Sequence, residues 1–284
     1  MLEPHSGAWD LEPDTVINIG AYKEENMADL RNSNVRAVNG TYAGADIDEG
    51  LRAYMLRVYN LMALGLGITG VAAYAIALFA TTNDPAAAVA TLGNGKMLTG
   101  LGTALYGSPL KWVVMLAPLA MVFFLSARIE KMSVSAAQTT FWVFAALMGV
   151  SLSSIFLVYT GASITQTFFV TAASFGALSL YGYTTKKDLS AMGSFLMMGL
   201  FGLIIAMVVN IFLQSSALQF AISAIGVLIF AGLTAYDTQQ IKSMYYEGDT
   251  DATAGRKAIM GALRLYLDFI NLFMFLLHFL GNRE

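Results

Sequence analysis

Two carboxylates sit where a carboxylate is costly. Asp237 closes the apolar run G-V-L-I-F-A-G-L-T-A-Y-D-T-Q-Q-I-K, and Asp268 lies inside L-R-L-Y-L-D-F-I-N-L-F. Acids surrounded by apolar sequence of this length face a bundle interior or a water-lined path when they are in a membrane. If the two approach each other, they hold one proton between them and titrate as a unit. Such a pair can sense pH, relay protons or hold a hard cation through oxygen ligands. Two independent polar contacts between helices would use the same residues, and the residues alone leave both readings open.

Two arginines compete for these acids. Arg264 stands four residues before Asp268, one helical turn away, and is placed to neutralise it. Arg128, at the end of an earlier apolar stretch, is a second candidate counter-charge. Tyr236 and Tyr266 stand beside the acids, either as hydrogen-bond donors or as packing. Asn210 and Asn271 are expected to bond between helices, with a place along a pathway as the alternative. His5 falls in a polar tail and His278 stands alone near the end of the last apolar stretch, an interfacial place, so no histidine cluster exists for zinc or haem. The chain has no cysteine, which removes thiolate metal sites, disulfides and a cysteine nucleophile. It also lacks a G-x-S-x-G motif and a phosphate-binding glycine loop with its lysine. No cofactor and no nucleic-acid partner is expected.

The elements that must position these groups are membrane helices. Of the 284 residues, 57% are hydrophobic and 12% charged, against about 25% charged in a soluble domain. The mean hydropathy of +0.62 agrees, and the chain reads as an integral membrane protein in the lipid bilayer. Seven stretches approach the roughly 20 residues a spanning helix needs, at about 55–80, 109–129, 136–159, 163–185, 191–213, 217–241 and 258–281. None alternates as a membrane β-strand does. The glycines 193, 199 and 202 and the serines 151, 153 and 154 are expected to permit close helix packing, a polar lining for a pathway being the alternative. The sixteen methionines suit irregular gaps in that packing. The longest connection, about 81–108, carries Pro85 and several glycines and reads as exposed.

Hydropathy leaves the depths of the two acids in tension. Asp268 follows Lys257 by eleven residues, or roughly 16 Å of helix, which is near mid-membrane. Asp237 follows about twenty apolar residues and reads as nearly interfacial. They meet if the sixth helix runs on through Ile241, or if a crevice reaches down to Asp268.

Basic residues set an expected orientation. Arg52, Arg57, Arg128, Lys131, Lys186, Lys187, Lys242, Arg256 and Lys257 fall on one side, and Lys96, Lys111 and Arg283 on the other. The first side is then cytoplasmic, with the N-terminus inside and the C-terminus outside. Residues 1–50 are acid-rich and polar, and are expected to form a disordered cytoplasmic tail before a membrane domain over 51–284. No cleavable signal is read ahead of the first span. Met27 is an alternative start, which would make the first 26 residues an extension.

From Ile47 to the C-terminus the chain resembles the Bax inhibitor family of membrane proteins, and its bacterial members in particular. Five segments carry the resemblance in order: L-R-A-Y-M-L-R-V-Y-N-L-M-A-L-G-L, V-Y-T-G-A-S-I-T-Q-T-F, G-Y-T-T-K-K-D-L-S, G-L-T-A-Y-D-T-Q-Q-I-K and L-Y-L-D-F-I-N-L-F. The resemblance implies an all-α fold of seven transmembrane helices, the last central and wrapped by the other six, in a bacterial inner membrane. It implies a pH-sensitive calcium leak, with calcium and protons as the bound or permeant ions. Asp237 and Asp268 match the family's paired-aspartate sensor, and would be the residues to meet calcium. Arg128 is the available counterpart of a latching arginine, whereas Arg264 has no assigned place in the family pattern.

Two other functions compete. A non-transporting regulator would bind a membrane protease or another membrane protein through the tail or loops. An intramembrane aspartyl protease would also carry paired aspartates on late spans, and Tyr236-Asp237 mimics its Y-D. However, L-Y-L precedes Asp268 in place of G-x-G, and no P-A-L run follows. The chain is therefore expected not to be an enzyme.

Overall fold

A computed structural model describes the backbone of residues 19–283 and the side chains of residues 49–283. The expected disordered tail falls mostly outside the described side chains, with residues 1–18 outside the description altogether. From Ile19 the backbone is helical. By its contacts the chain divides into residues 1–50 and residues 51–284, and the membrane bundle is the second unit.

Among the described residues, seven helices are long and apolar enough to cross a membrane. They are α1 (Ile19–Ala80), α2 (Leu110–Arg128), α3 (Val134–Leu152), α4 (Gly161–Thr184), α5 (Ser190–Leu213), α6 (Ser216–Ser243) and α7 (Asp251–Leu280). Their starts are set by local chemistry. Ser133, Thr160, Ser215 and Thr250 each accept a hydrogen bond from the backbone N–H three residues on, satisfying a donor that the first turn leaves open. The turn between α5 and α6 is the tightest. Gln214 takes a left-handed φ of 49°, and Ser215 then caps α6.

The connection between α1 and α2 is more ordered than an exposed loop requires. Three two-residue antiparallel strands, β1 (Thr81–Thr82), β2 (Ala90–Thr91) and β3 (Met97–Leu98), pair in the order β1-β3-β2. They rest on the far end of α3, where the helix breaks at Ser153–Ser154 and resumes as a short helix over Ile155–Val158. That end leaves carbonyls without helical partners. Lys96 Nζ donates to Phe156 O at 2.7 Å and Asn94 Nδ2 to Leu157 O at 2.8 Å. Ser153 Oγ and Tyr106 OH are also bonded at 2.8 Å, which opposes part of the upward push that burial gives the Tyr106 phenol.

α7 is the axis of the bundle and the most buried of the seven spans. Tyr54 and Val58 of α1, Leu125 of α2, Phe141 and Phe144 of α3, Phe175 of α4 and Ile241 of α6 form one apolar core with Ile259, Leu265, Tyr266 and Phe269 of α7. A smaller core joins Leu203 of α5 and Phe230 and Leu233 of α6 to Leu272 and Leu276 of α7. α5 is the opposite extreme. Almost all of its surface faces outward, as Phe212 does at 83% exposure, and that suits its place as the span of highest hydropathy. Water is not the medium for such a face. Lipid is, so the chain is a polytopic membrane protein.

Candidate functional site

The site is built where α6 and α7 run antiparallel. Ile241 meets Gly261 and Gly226 meets Phe275, so the level of Asp237 corresponds to residues 264–268 of α7. Two departures from the expected spans bring this about. α6 continues past Ile241 to Ser243, and α7 begins at Asp251, ahead of the apolar stretch expected from 258. Asp237 thus lies about 9 Å inside the end of its helix, and the expected mismatch in depth disappears.

The carboxyl groups of Asp237 and Asp268 are brought next to one another, within reach of direct interaction. Two ionised carboxylates have no donor between them, so a hydrogen bond across the pair requires one shared proton. Asp268 is the deeper member at 5% exposure, and its Oδ2 has no hydrogen-bond partner. Asp237 is half-buried. Arg264 acts on both acids through its charge and lines the same cavity. It does not form an ion pair within 4 Å with either acid. Arg128 is not brought to the site. It is exposed at the end of α2 and does not line the cavity.

Close helix packing holds the pair in register. Gly182 of α4 lies against the backbone carbonyl of Ala235, two residues from Asp237, and any Cβ there would overlap that oxygen. Gly193 of α5 does the same for the ring of Tyr236, which explains Tyr236 as a packing residue. Beyond the acid, Gln239 clamps the α4–α5 loop. Its Oε1 accepts from Leu189 N at 2.9 Å and its Nε2 donates to Lys187 O at 2.8 Å. Lys242 Nζ adds a bond to Tyr183 O at 2.9 Å. In the same loop the Ser190 hydroxyl, and Ser190 N donating at 2.9 Å, hold the Asp188 carboxyl below the usual range. The D-T-Q-Q-I-K and T-K-K-D-L-S segments are therefore two halves of one structure.

Two hydroxyl chains fix α6 and α7 from behind. Tyr266 takes the hydrogen-bonding role, one of the two expected of it, whereas its partner Thr69 and the Tyr59–Ser179–Thr238 chain are unexpected. Tyr59 OH, Ser179 Oγ and Thr238 Oγ1 follow at 2.8 and 2.9 Å, tying α1 and α4 to the residue after Asp237. Tyr266 OH is bonded to Thr69 Oγ1 at 2.6 Å, and Thr69 reaches Ala145 O of α3 at 2.8 Å. Hydroxyls in apolar sequence carry no mark of their partner, and only the pairing of distant helices reveals these.

The acids, Arg264, Asn271 and His278 line one cavity of about 760 Å³ between α5, α6 and α7. Asn210 bonds between helices as expected, with Nδ2 donating to Gln219 Oε1 at 3.1 Å. Asn271 does not. Its Nδ2 donates within its own helix, to Leu267 O at 2.8 Å, because the cavity and not a neighbouring helix stands beside it. His278 bonds Met274 O through Nδ1. Among the described residues no group of three histidines or acids could cage a metal, so any cation here would meet at most the two carboxyls together with carbonyl, amide or water oxygens.

The same residues lie within a stretch shared with known proteins. Residues 51–284 match the family model described as inhibitor of apoptosis-promoting Bax1, a span that holds both acids and the membrane-crossing part of all seven helices. The inner membrane protein YbhL of Escherichia coli is 47% identical over 237 residues, covering 83% of this chain and 94% of YbhL. Protein RP147 of Rickettsia prowazekii is 48% identical over 249 residues, covering 88% and 98%. A protein of Caulobacter vibrioides is 46% identical over 260 residues, covering 91% and 100%. With a family match over most of its length and relatives this similar along nearly their whole chains, the protein belongs to the Bax inhibitor family.

Proposed function

We propose that the protein is a pH-sensitive calcium leak channel, gated by the Asp237–Asp268 pair. The observation that carries this reading is the meeting of two carboxyl groups, one from α6 and one from α7, in the lining of one cavity. One proton holds the two helices together at that point. Its loss leaves two like charges about 4 Å apart, a repulsion of about 4 kcal/mol at an effective dielectric near 20. That is enough to change a two-state equilibrium by roughly a thousandfold, so the protonation state sets the spacing of α6 and α7. The oxygens exposed by separation are hard donors suited to calcium.

The reading includes the membrane and its sides. The name of the Escherichia coli relative supports an inner membrane. Lys131, Lys186, Lys187, Lys242 and Lys257 fall at helix ends and connections that alternate crossing puts on one side, which supports a cytoplasmic location for that side. No catalytic step and no cofactor is assigned to the protein. Calcium efflux from proteoliposomes, followed with a calcium-sensitive dye from pH 5 to 9, tests the function. Efflux with a pH midpoint that Asp237→Asn and Asp268→Asn abolish supports it. Wild type that passes no calcium at any pH overturns it and favours a regulator that acts by binding another membrane protein.

A further inference from the structure

One face of α7 is polar along most of its buried length. Arg264, Asp268, Asn271 and His278 follow at steps of four, three and seven residues, which at 3.6 residues per turn keeps them on one side of the helix. From Arg264 to His278 they extend about 21 Å, against about 30 Å of hydrocarbon. All four line the same cavity, with Gln219 and Asn210 in its lining as well.

The hydrogen bonds of this stripe consume donors and leave acceptors. Asn271 spends its Nδ2 on Leu267 O, and its Oδ1 has no partner among the described residues. His278 Nδ1 faces a carbonyl, which only accepts, so Nδ1 carries the hydrogen and the basic lone pair is on Nε2. Asp268 Oδ2, nine-tenths buried, is also without a partner. Acyl chains against this face would leave these acceptors unsatisfied, at a cost of several kcal/mol for each polar group held in hydrocarbon. Water or a hydrated cation satisfies them.

We propose that the α5–α6–α7 cavity is a hydrated cation track, which runs from the aspartate pair to the opposite membrane face through a second station of acceptors at Asn271 and His278. The proposal rests on the channel reading for the identity of the cation. The water in the track is a separate matter. Around His278 the facing groups are Tyr159, whose ring meets the imidazole edge-on, and Arg283, which lies over the same Tyr159 ring. Asn210 and Gln219 are neutral. Asp268 is the nearest acid on the same face of α7.

The absence of native cysteine makes the test direct. Asn271→Cys and His278→Cys are reconstituted in liposomes and treated with a charged, membrane-impermeant methanethiosulfonate, with Phe201→Cys on the outward face of α5 as the lipid-facing control. A hydrated thiol ionises and reacts, so both variants should label at least about tenfold faster than the control. Labelling of Asn271→Cys no faster than Phe201→Cys overturns the track. If that variant is not monodisperse, His278→Cys decides the same question. Millimolar calcium should slow the labelling of both track positions severalfold, and labelling indifferent to calcium overturns the cation station. Rapid labelling in a protein that releases no calcium would retain the track and reject the channel reading, so the two failures are distinct.

Discussion

The carboxyl groups of Asp237 and Asp268 meet across two helices whose hydropathy sets them at different depths. The overlap of α6 and α7 removes the difference and puts the pair beside Arg264 without an ion pair. Each asparagine variant keeps the size of the side chain and a hydrogen-bond donor but cannot lose a proton. Asp237→Asn and Asp268→Asn should therefore flatten the pH dependence of calcium efflux while both variants remain folded. Efflux that follows pH as in wild type in both variants would remove the pair as the sensor.

The two arginines should separate cleanly. Arg264 lines the cavity and acts on both acids, whereas Arg128, at the end of α2, does not line it. Arg264→Gln should move the midpoint of the pH response measurably, and Arg128→Gln should leave it within error of wild type. A displaced midpoint in Arg128→Gln would mean that α2 closes on the pair in another conformation.

How much of this was legible in the sequence depends on the kind of signal involved. Seven apolar runs announce seven helices because lipid demands about 20 apolar residues each, and Asp237 and Asp268 stand out because charge is rare inside such runs. The ends of α6 and α7 were less legible. Q-Q-I-K-S and D-A-T-A-G-R-K are polar, so hydropathy stops before the helices do. Partner choice was invisible, since Arg264 at i−4 and Asp237 on another helix are equally plausible until the packing at Gly182 and Gly193 fixes the register. The inward acceptors of Asn271 and His278 also depend on which carbonyl each donor finds.

Gln239 should prove structural and not part of the sensor, although it lies two residues from Asp237. It makes both of its bonds to the backbone of the 185–189 loop. Gln239→Ala removes two ordinary hydrogen bonds, about 1–3 kcal/mol of local stability. Trypsin should then nick the chain at Lys186–Lys187 faster than in wild type, as cleavage of a locally opened loop follows the stability of its closed form. Equal cleavage rates would show that the loop is held by other means.

Gly182 is the tightest constraint on the site. A Cβ there would overlap the carbonyl oxygen of Ala235, which is backbone and cannot rotate away. Gly182→Ala should lower the unfolding midpoint in detergent, by about 1–3 kcal/mol for an overpacked contact, and Gly182→Leu should do so further. A Gly182→Ala variant as stable as wild type would mean that α4 and α6 move apart easily.

Thr69 and Tyr266 test how α7 is anchored on the side away from the cavity. Thr69 has one hydrogen to donate and faces the carbonyls of Gly65 and Ala145, so Tyr266 donates to Thr69 Oγ1. Thr69→Val leaves the fully buried Tyr266 hydroxyl without an acceptor, at a cost of about 1–3 kcal/mol. Tyr266→Phe leaves Thr69 still bonded to a carbonyl, and should cost only about 0.5–1.5 kcal/mol. The double variant should then be no less stable than Thr69→Val alone, since the phenylalanine removes the orphaned group. Thermal unfolding of the three variants in detergent measures the difference. Additive losses in the double variant would show that the Thr69–Tyr266 bond does not couple the two residues.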